Sequence, residues 1–97
     1  MIVRIVHMHF KKEAIPTFLE LFEHHRDAIS GQPGCHGLEL IQSSSDATTI
    51  STISHWENDA CLDAYRKSEL FGRVWPATKA LFSETPTALS HTLLWGS

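Results

Sequence analysis

No segment of this chain is both long and apolar. The N-terminus, Met-Ile-Val-Arg-Ile-Val-His-Met-His-Phe, is broken by Arg4, His7 and His9, so it offers neither the continuous run of a secretion signal nor the length of a membrane span. Cysteine is scarce: Cys35 and Cys61 stand 26 positions apart without CxxC or metal-type spacing, which reads as buried thiols rather than a disulfide framework or a metal site. GxGxxG, P-loop, HExxH and GxSxG patterns are absent, which removes the grounds for nucleotide binding, zinc proteolysis and serine-hydrolase chemistry. Positive charge is not in surplus either. Eight Lys and Arg face eleven Asp and Glu, a formal charge of -3, and the basic residues are scattered, so neither nucleic acid nor a membrane is an expected partner. A cytoplasmic location is the expectation. The 97 residues, 42% hydrophobic and 20% charged, contain no repeat, linker or low-complexity stretch, and residues 1–97 read as a single domain near the lower limit of what can bury a core alone.

What the chain does have is patterned hydrophobicity. Residues 2 to 10 alternate with the period of a strand, Ile2, Arg4, Val6, Met8 and Phe10 on one face and Val3, Ile5, His7 and His9 on the other. Pro16 suits the first turn of a helix, and Ile15, Phe18, Leu19, Phe22 and Ile29 form one apolar stripe over about residues 14–30 before the stop signal Gly31-Gln32-Pro33-Gly34. Strands follow at Cys35 to Gln42 and Thr48 to His55, with a polar turn between them that makes an antiparallel hairpin. Asn58 and Ser68 cap two helices, the second carrying an aromatic stripe through Phe71, Trp75 and Phe82 with Pro76 inside it, and Ala88 to Trp95 reads as a last strand.

The order β-α-β-β-α-α-β predicts an α+β fold, a ferredoxin-like plait with a four-stranded antiparallel sheet whose first strand lies between the third and fourth. Helices can shield one face of such a sheet, yet the strands are apolar on both. The bare face predicts a homodimer.

The run from Trp56 to Trp75, Trp-x3-Ala-x4-Tyr-x2-Ser-x2-Phe-x3-Trp, resembles the antibiotic biosynthesis monooxygenase family of dimeric α+β barrel proteins. Gly34-Cys35, the Ser68 to Phe71 segment and the late Leu81, Phe82 and Pro86 extend the likeness over nearly the whole chain. The resemblance implies two sheets packed across a dimer and one pocket per subunit between sheet and helices. The family's haem-degrading branch uses a helical Trp and an iron-ligating His ten residues on; the spacing from Trp56 puts Tyr65 and Trp75 there, and indole cannot ligate iron. That branch also uses an Asn on the first strand, where this chain has none. The resemblance therefore points to the cofactor-independent branch, which oxidises quinols and phenolic polyketides, with no cofactor and no metal.

Such an oxygenase makes its substrate the reductant: a phenol or enol is deprotonated and the anion passes an electron to O2. It needs a base, a donor for the anion and a dry pocket. Imidazole suits the first task, and His7, His9 and His91 are the candidate bases, His91 being expected near the other two through strand pairing and His55 apart from them. Tyr65 is the candidate donor. Arg4, Met8, Phe10, Phe71 and Trp75 are the candidate substrate-binding residues, Met8 and Phe10 as the pocket floor and Arg4 as the cation for a phenolate or carboxylate. Competing structural readings stay open for each: interface or edge histidines, a core tyrosine, packed helix aromatics, and an Arg4 salt bridge to Glu39 or Glu57. His24 and His25 point in different directions from one helix and read as solvated. Two functions fit, oxidation of a small phenolic, quinol-like or enolisable compound, and non-catalytic binding of a small hydrophobic ligand as sensor or scavenger.

Overall fold

The N-terminal alternation becomes strand β1 (Ile2–Phe10), the second-from-edge strand of a four-stranded antiparallel sheet in the order β2-β3-β1-β4. A single 3-10 turn leads into helix α1 (Ile15–Ser30), with Pro16 in its first turn. The hairpin of β2 (Cys35–Gln42) and β3 (Thr49–Trp56) follows, then helices α2 (Asp59–Arg66) and α3 (Glu69–Lys79), and β4 (Phe82–Thr92) returns along the free edge of β1. This computed structural model describes residues 1–97.

Both expected caps form. The Asn58 side chain accepts from the Cys61 N–H at 3.0 Å and starts α2; Ser68 Oγ accepts from the Phe71 N–H at 3.2 Å and starts α3. Ser68 also donates to the Tyr65 carbonyl at 2.6 Å, so one hydroxyl holds the joint between the two helices. Gly34 is the one residue with positive φ, at 81°, and a Cβ there would fall 2.4 Å from Cys61 Sγ, which makes glycine obligatory where the chain enters β2 beneath α2.

The last helix and strand differ from their sequence pattern. α3 stops at Lys79, and Leu81 and Phe82 belong to the crossing into β4, where Phe10 pairs with Phe82 and the Lys11 N–H donates to the Leu81 carbonyl at 3.1 Å. β4 therefore begins six residues before Ala88, and the segment after Thr92 is irregular. Pro86, which hid this start, is tolerated because β4 is an edge strand with register shifts against His7 to Phe10, and a bulge asks nothing of a missing N–H.

All three helices cover the even-numbered face of β1 and β3. Met8, Phe10, Phe18 and Ile50 form the core, each no more than 3% exposed, with Phe10 stacked on Phe18 at 4.3 Å and edge-on to Phe82 at 5.2 Å. The other face carries Val3, Ile5, Ile53, Ile41 and Leu89 among the strand histidines, and no helix covers it; Ile41 and Leu89 are 46% and 55% exposed. Phe10→Ala empties the centre of the core and is expected to cost about 3–5 kcal/mol in urea unfolding, whereas Leu94→Ala, in the exposed C-terminal segment, should stay within about 0.5 kcal/mol.

Candidate functional site

A cavity of about 530 Å³ lies between the even-numbered face of the sheet and the helices, two thirds of its lining residues hydrophobic. That volume is within the range of small-molecule sites, about 300–1,000 Å³. Its floor is Arg4, Val6 and Met8 of β1 with Thr52, Ser54 and Trp56 of β3; its roof is Leu62, Tyr65 and Arg66 of α2 with Phe71, Val74 and Trp75 of α3.

One chain of rings builds the walls. Trp56 stacks on Tyr65 at 5.1 Å, Tyr65 meets Phe71 edge-on at 5.3 Å, Phe71 stacks on Trp75 at 5.8 Å, and Trp75 meets Phe82 edge-on at 5.8 Å. Trp56 is wholly buried, and its indole N–H donates to Ser54 Oγ at 2.9 Å, which fixes the plane against which Tyr65 rests. The Ser68 joint sets the angle between α2 and α3, hence the edge-on contact of Tyr65 with Phe71.

Tyr65 and Arg4 supply the polar end. Burial, and then the nearby Cys35 thiol, push the Tyr65 hydroxyl up to about 12, so it is a neutral donor at physiological pH. Arg4 has no carboxylate partner: its guanidinium donates to Ser90 Oγ at 3.1 Å, and burial, followed by the charge of Arg66, lowers its pKa. The competing reading, a salt bridge from Arg4 to Glu39 or Glu57, does not form; both acids pair with histidines, Glu39 with His55 at 3.3 Å and Glu57 with His36.

Tyr65, Arg4, Met8, Phe71 and Trp75 thus share one cavity, and the other candidates do not. Phe10 is only 1% exposed and lies in the core beneath Phe18, away from the cavity floor. His7, His9 and His91 do not line the cavity, since strand alternation turns odd-numbered side chains to the uncovered face. Nor do they cluster. His7 bonds Ser51 at 2.7 Å and His9 lies between Thr49 at 3.2 Å and Glu84 at 3.4 Å, while His91 and His55 flank Val3 at the other end of the strand. The longer β4 is the reason: its first residues, not His91, reach His7 and His9. His24 is exposed and His25 bonds the Leu21 carbonyl at 2.8 Å, away from the cavity. Arg66 was not expected in the site. Its signal is the helical spacing of Leu62, Tyr65 and Arg66, which places all three on the face that α2 turns to the sheet.

An antiparallel sheet with helices on one face and a ring-lined cavity between the layers defines a ferredoxin-like α+β protein. Residues 1–75 match the antibiotic biosynthesis monooxygenase family, and the chain belongs to it. Among solved structures, an antibiotic biosynthesis monooxygenase superposes with a TM-score of 0.90 at 24% identity over 97% of this chain and 99% of its own. A conserved protein from Methanosarcina mazei Go1 gives 0.88 at 16% identity over 94% and 91%. SnoaB, a cofactor-independent oxygenase from Streptomyces nogalater, gives 0.87 at 16% identity over 98% and 94%. No curated protein matches the sequence. No helix is long and apolar enough to cross a membrane.

Tyr65 is the chain's one tyrosine, so its ionisation can be followed directly by tyrosinate absorbance. The midpoint should be about 12 in the folded protein and return to the ordinary 10.0 in denaturant. Because the folded value is the higher one, protonation favours the fold, and this contribution, complete below pH 10.0, should be lost as pH rises towards 12.

Proposed function

We propose that the protein is a cofactor-independent monooxygenase acting on a small phenolic, quinol-like or enolisable compound with O2. The observation that carries this is the convergence of a neutral tyrosine hydroxyl and a guanidinium without a carboxylate partner on one aromatic-walled cavity. Family membership and the likeness to a cofactor-independent oxygenase support it. In the proposed reaction Arg4 lowers the pKa of the bound phenol or enol, and Asp63, the one carboxylate on the cavity wall, takes the proton. Tyr65 donates to the resulting oxyanion. The carbanion form gives one electron to O2, the radical pair joins as a peroxide that takes the proton back from Asp63 to become a hydroperoxide, and loss of water leaves a new carbonyl. One oxygen atom ends in product and the other in water, which carries off the two hydrogens lost by the substrate.

Oxygen uptake with a panel of hydroquinones, anthrones and enolisable ketones tests the reading. Uptake above buffer is expected for at least one class, with Tyr65→Phe lowering kcat/KM about 10²-fold, the usual loss for one oxyanion donor. No uptake with any of them would remove the oxygenase. Binding without uptake would support the second reading, a small-molecule sensor or scavenger, which is favoured by the lack of any imidazole on the cavity wall.

The proposal includes a homodimer closed over the uncovered sheet face. Only 11 of 97 residues are buried in the single chain, and the aliphatic side chains of that face remain without cover. Sedimentation at micromolar concentration should give twice the 10.9 kDa chain mass; a single species of chain mass would overturn the dimer.

A further inference from the structure

The cations of this protein are not spread as its overall charge would suggest. The chain carries a net charge of -3, yet three of its eight Lys and Arg residues, Arg4, Arg66 and Lys67, line the one cavity, against the single carboxylate of Asp63. Arg4 takes part in no ion pair and has only the Ser90 hydroxyl as partner. Arg66 touches Asp63 at 3.8 Å, on the same helix, with both side chains about half exposed. A contact of that length and exposure is worth little, so both guanidinium groups remain available. A partly buried guanidinium facing apolar walls without an anion is held at a desolvation cost that an anionic ligand would offset.

From the placement of Arg4 on the sheet floor and Arg66 on the helical roof of one ring-walled cavity, we infer that its ligand is an arenecarboxylate, gripped at the carboxylate by both arginines with its flat body against Trp56, Tyr65, Phe71 and Trp75. The inference rests on the proposed small-molecule role of the same cavity and adds a permanent negative charge to the ligand, apart from the anion formed during reaction. Two features select a carboxylate. Guanidinium matches its planar fork, and the apolar walls suit a singly charged group on a flat hydrophobic body better than a strongly hydrated phosphate dianion. Neutral phenols and quinols would keep the ring contacts but bring the two arginines no formal charge before deprotonation.

Isothermal titration calorimetry under argon, with a panel of one- to three-ring arenecarboxylates and the methyl ester of each, separates this from turnover. At least one acid should bind the wild-type protein about tenfold or more tighter than its ester, the scale of one charge-assisted hydrogen bond. The preference should fall below about threefold in both Arg4→Gln and Arg66→Gln, each checked for an unchanged melting temperature. Absence of binding by every acid, equal binding of acids and esters, or a preference that survives either Arg4→Gln or Arg66→Gln would overturn the inference. The wild-type comparison needs no variant, so a misfolded substitution cannot rescue or sink it. Acid preference without oxygen uptake would remove the oxygenase and leave this inference standing; oxygen uptake with neutral quinols and no acid preference would do the reverse.

Discussion

Eight of the nine aromatic side chains lie in one unbroken run of ring contacts, Trp56 to Tyr65, Phe71, Trp75, Phe82, Phe10, Phe18 and Phe22, and the arrangement of the layers depends on it. The run starts on β3, climbs through α2 and α3, returns to the sheet at β4 and β1, and ends on α1, so every layer is bound to the next through rings. Each such contact is worth about 0.5–1.5 kcal/mol beyond the area it buries. Rings that touch in a line wall a space without filling it. That is why a chain with a dense core at the Phe10 end keeps a cavity at the Tyr65 end: α1 presses Phe18 onto Phe10, whereas α2 and α3 are held off the sheet by Trp56 and by one another.

The electrostatics follow from the same geometry. The cavity takes Tyr65 far enough from water to keep its hydroxyl protonated, and Arg4 far enough to lower its pKa, yet both groups still open onto the space between the layers. A donor that stays neutral and a cation without a counter-charge are complementary to an oxyanion. Of the acids that could have neutralised Arg4, Glu39 is odd-numbered on β2 and meets His55 on the far face, while Glu57, just past the end of β3, pairs with His36.

Much of this was legible in the residues. The alternation in β1, the stripe of α1, the Asn58 and Ser68 caps and the apolar character of both sheet faces read directly, since each is a local pattern with one physical meaning. Three things did not read. Phe82 continues the spacing of Phe71 and Trp75 and so counts as helical by periodicity, but its position is decided by pairing with Phe10, a partner 72 residues away that no local pattern reveals. The place of the histidines depended on the same boundary: with β4 taken to start at Ala88, His91 falls beside His7, whereas the true register sets it beside Val3. Arg66 has the composition of solvated surface, an exposed arginine at the end of a helix, and only its spacing from Leu62 and Tyr65 links it to the cavity.

The irregularity of β4 links the ring chain to the polar groups of the cavity. From the pairing Phe10 with Phe82 to the pairing Arg4 with Ser90, β1 advances six residues and β4 advances eight. Each extra residue on one strand turns the following side chains to the opposite face. One bulge would leave Phe82 on the helical side and send Ser90 to the bare side. Two bulges restore the parity, so that the same strand closes the ring chain at Phe82 and supplies the hydroxyl that holds Arg4 at Ser90. Pro86 lies within one of those shifts, between the partners of His7 and His9, on an edge where its absent N–H costs no ladder bond. The feature that obscured the strand in the sequence is therefore part of what lets the strand serve both the core and the cavity.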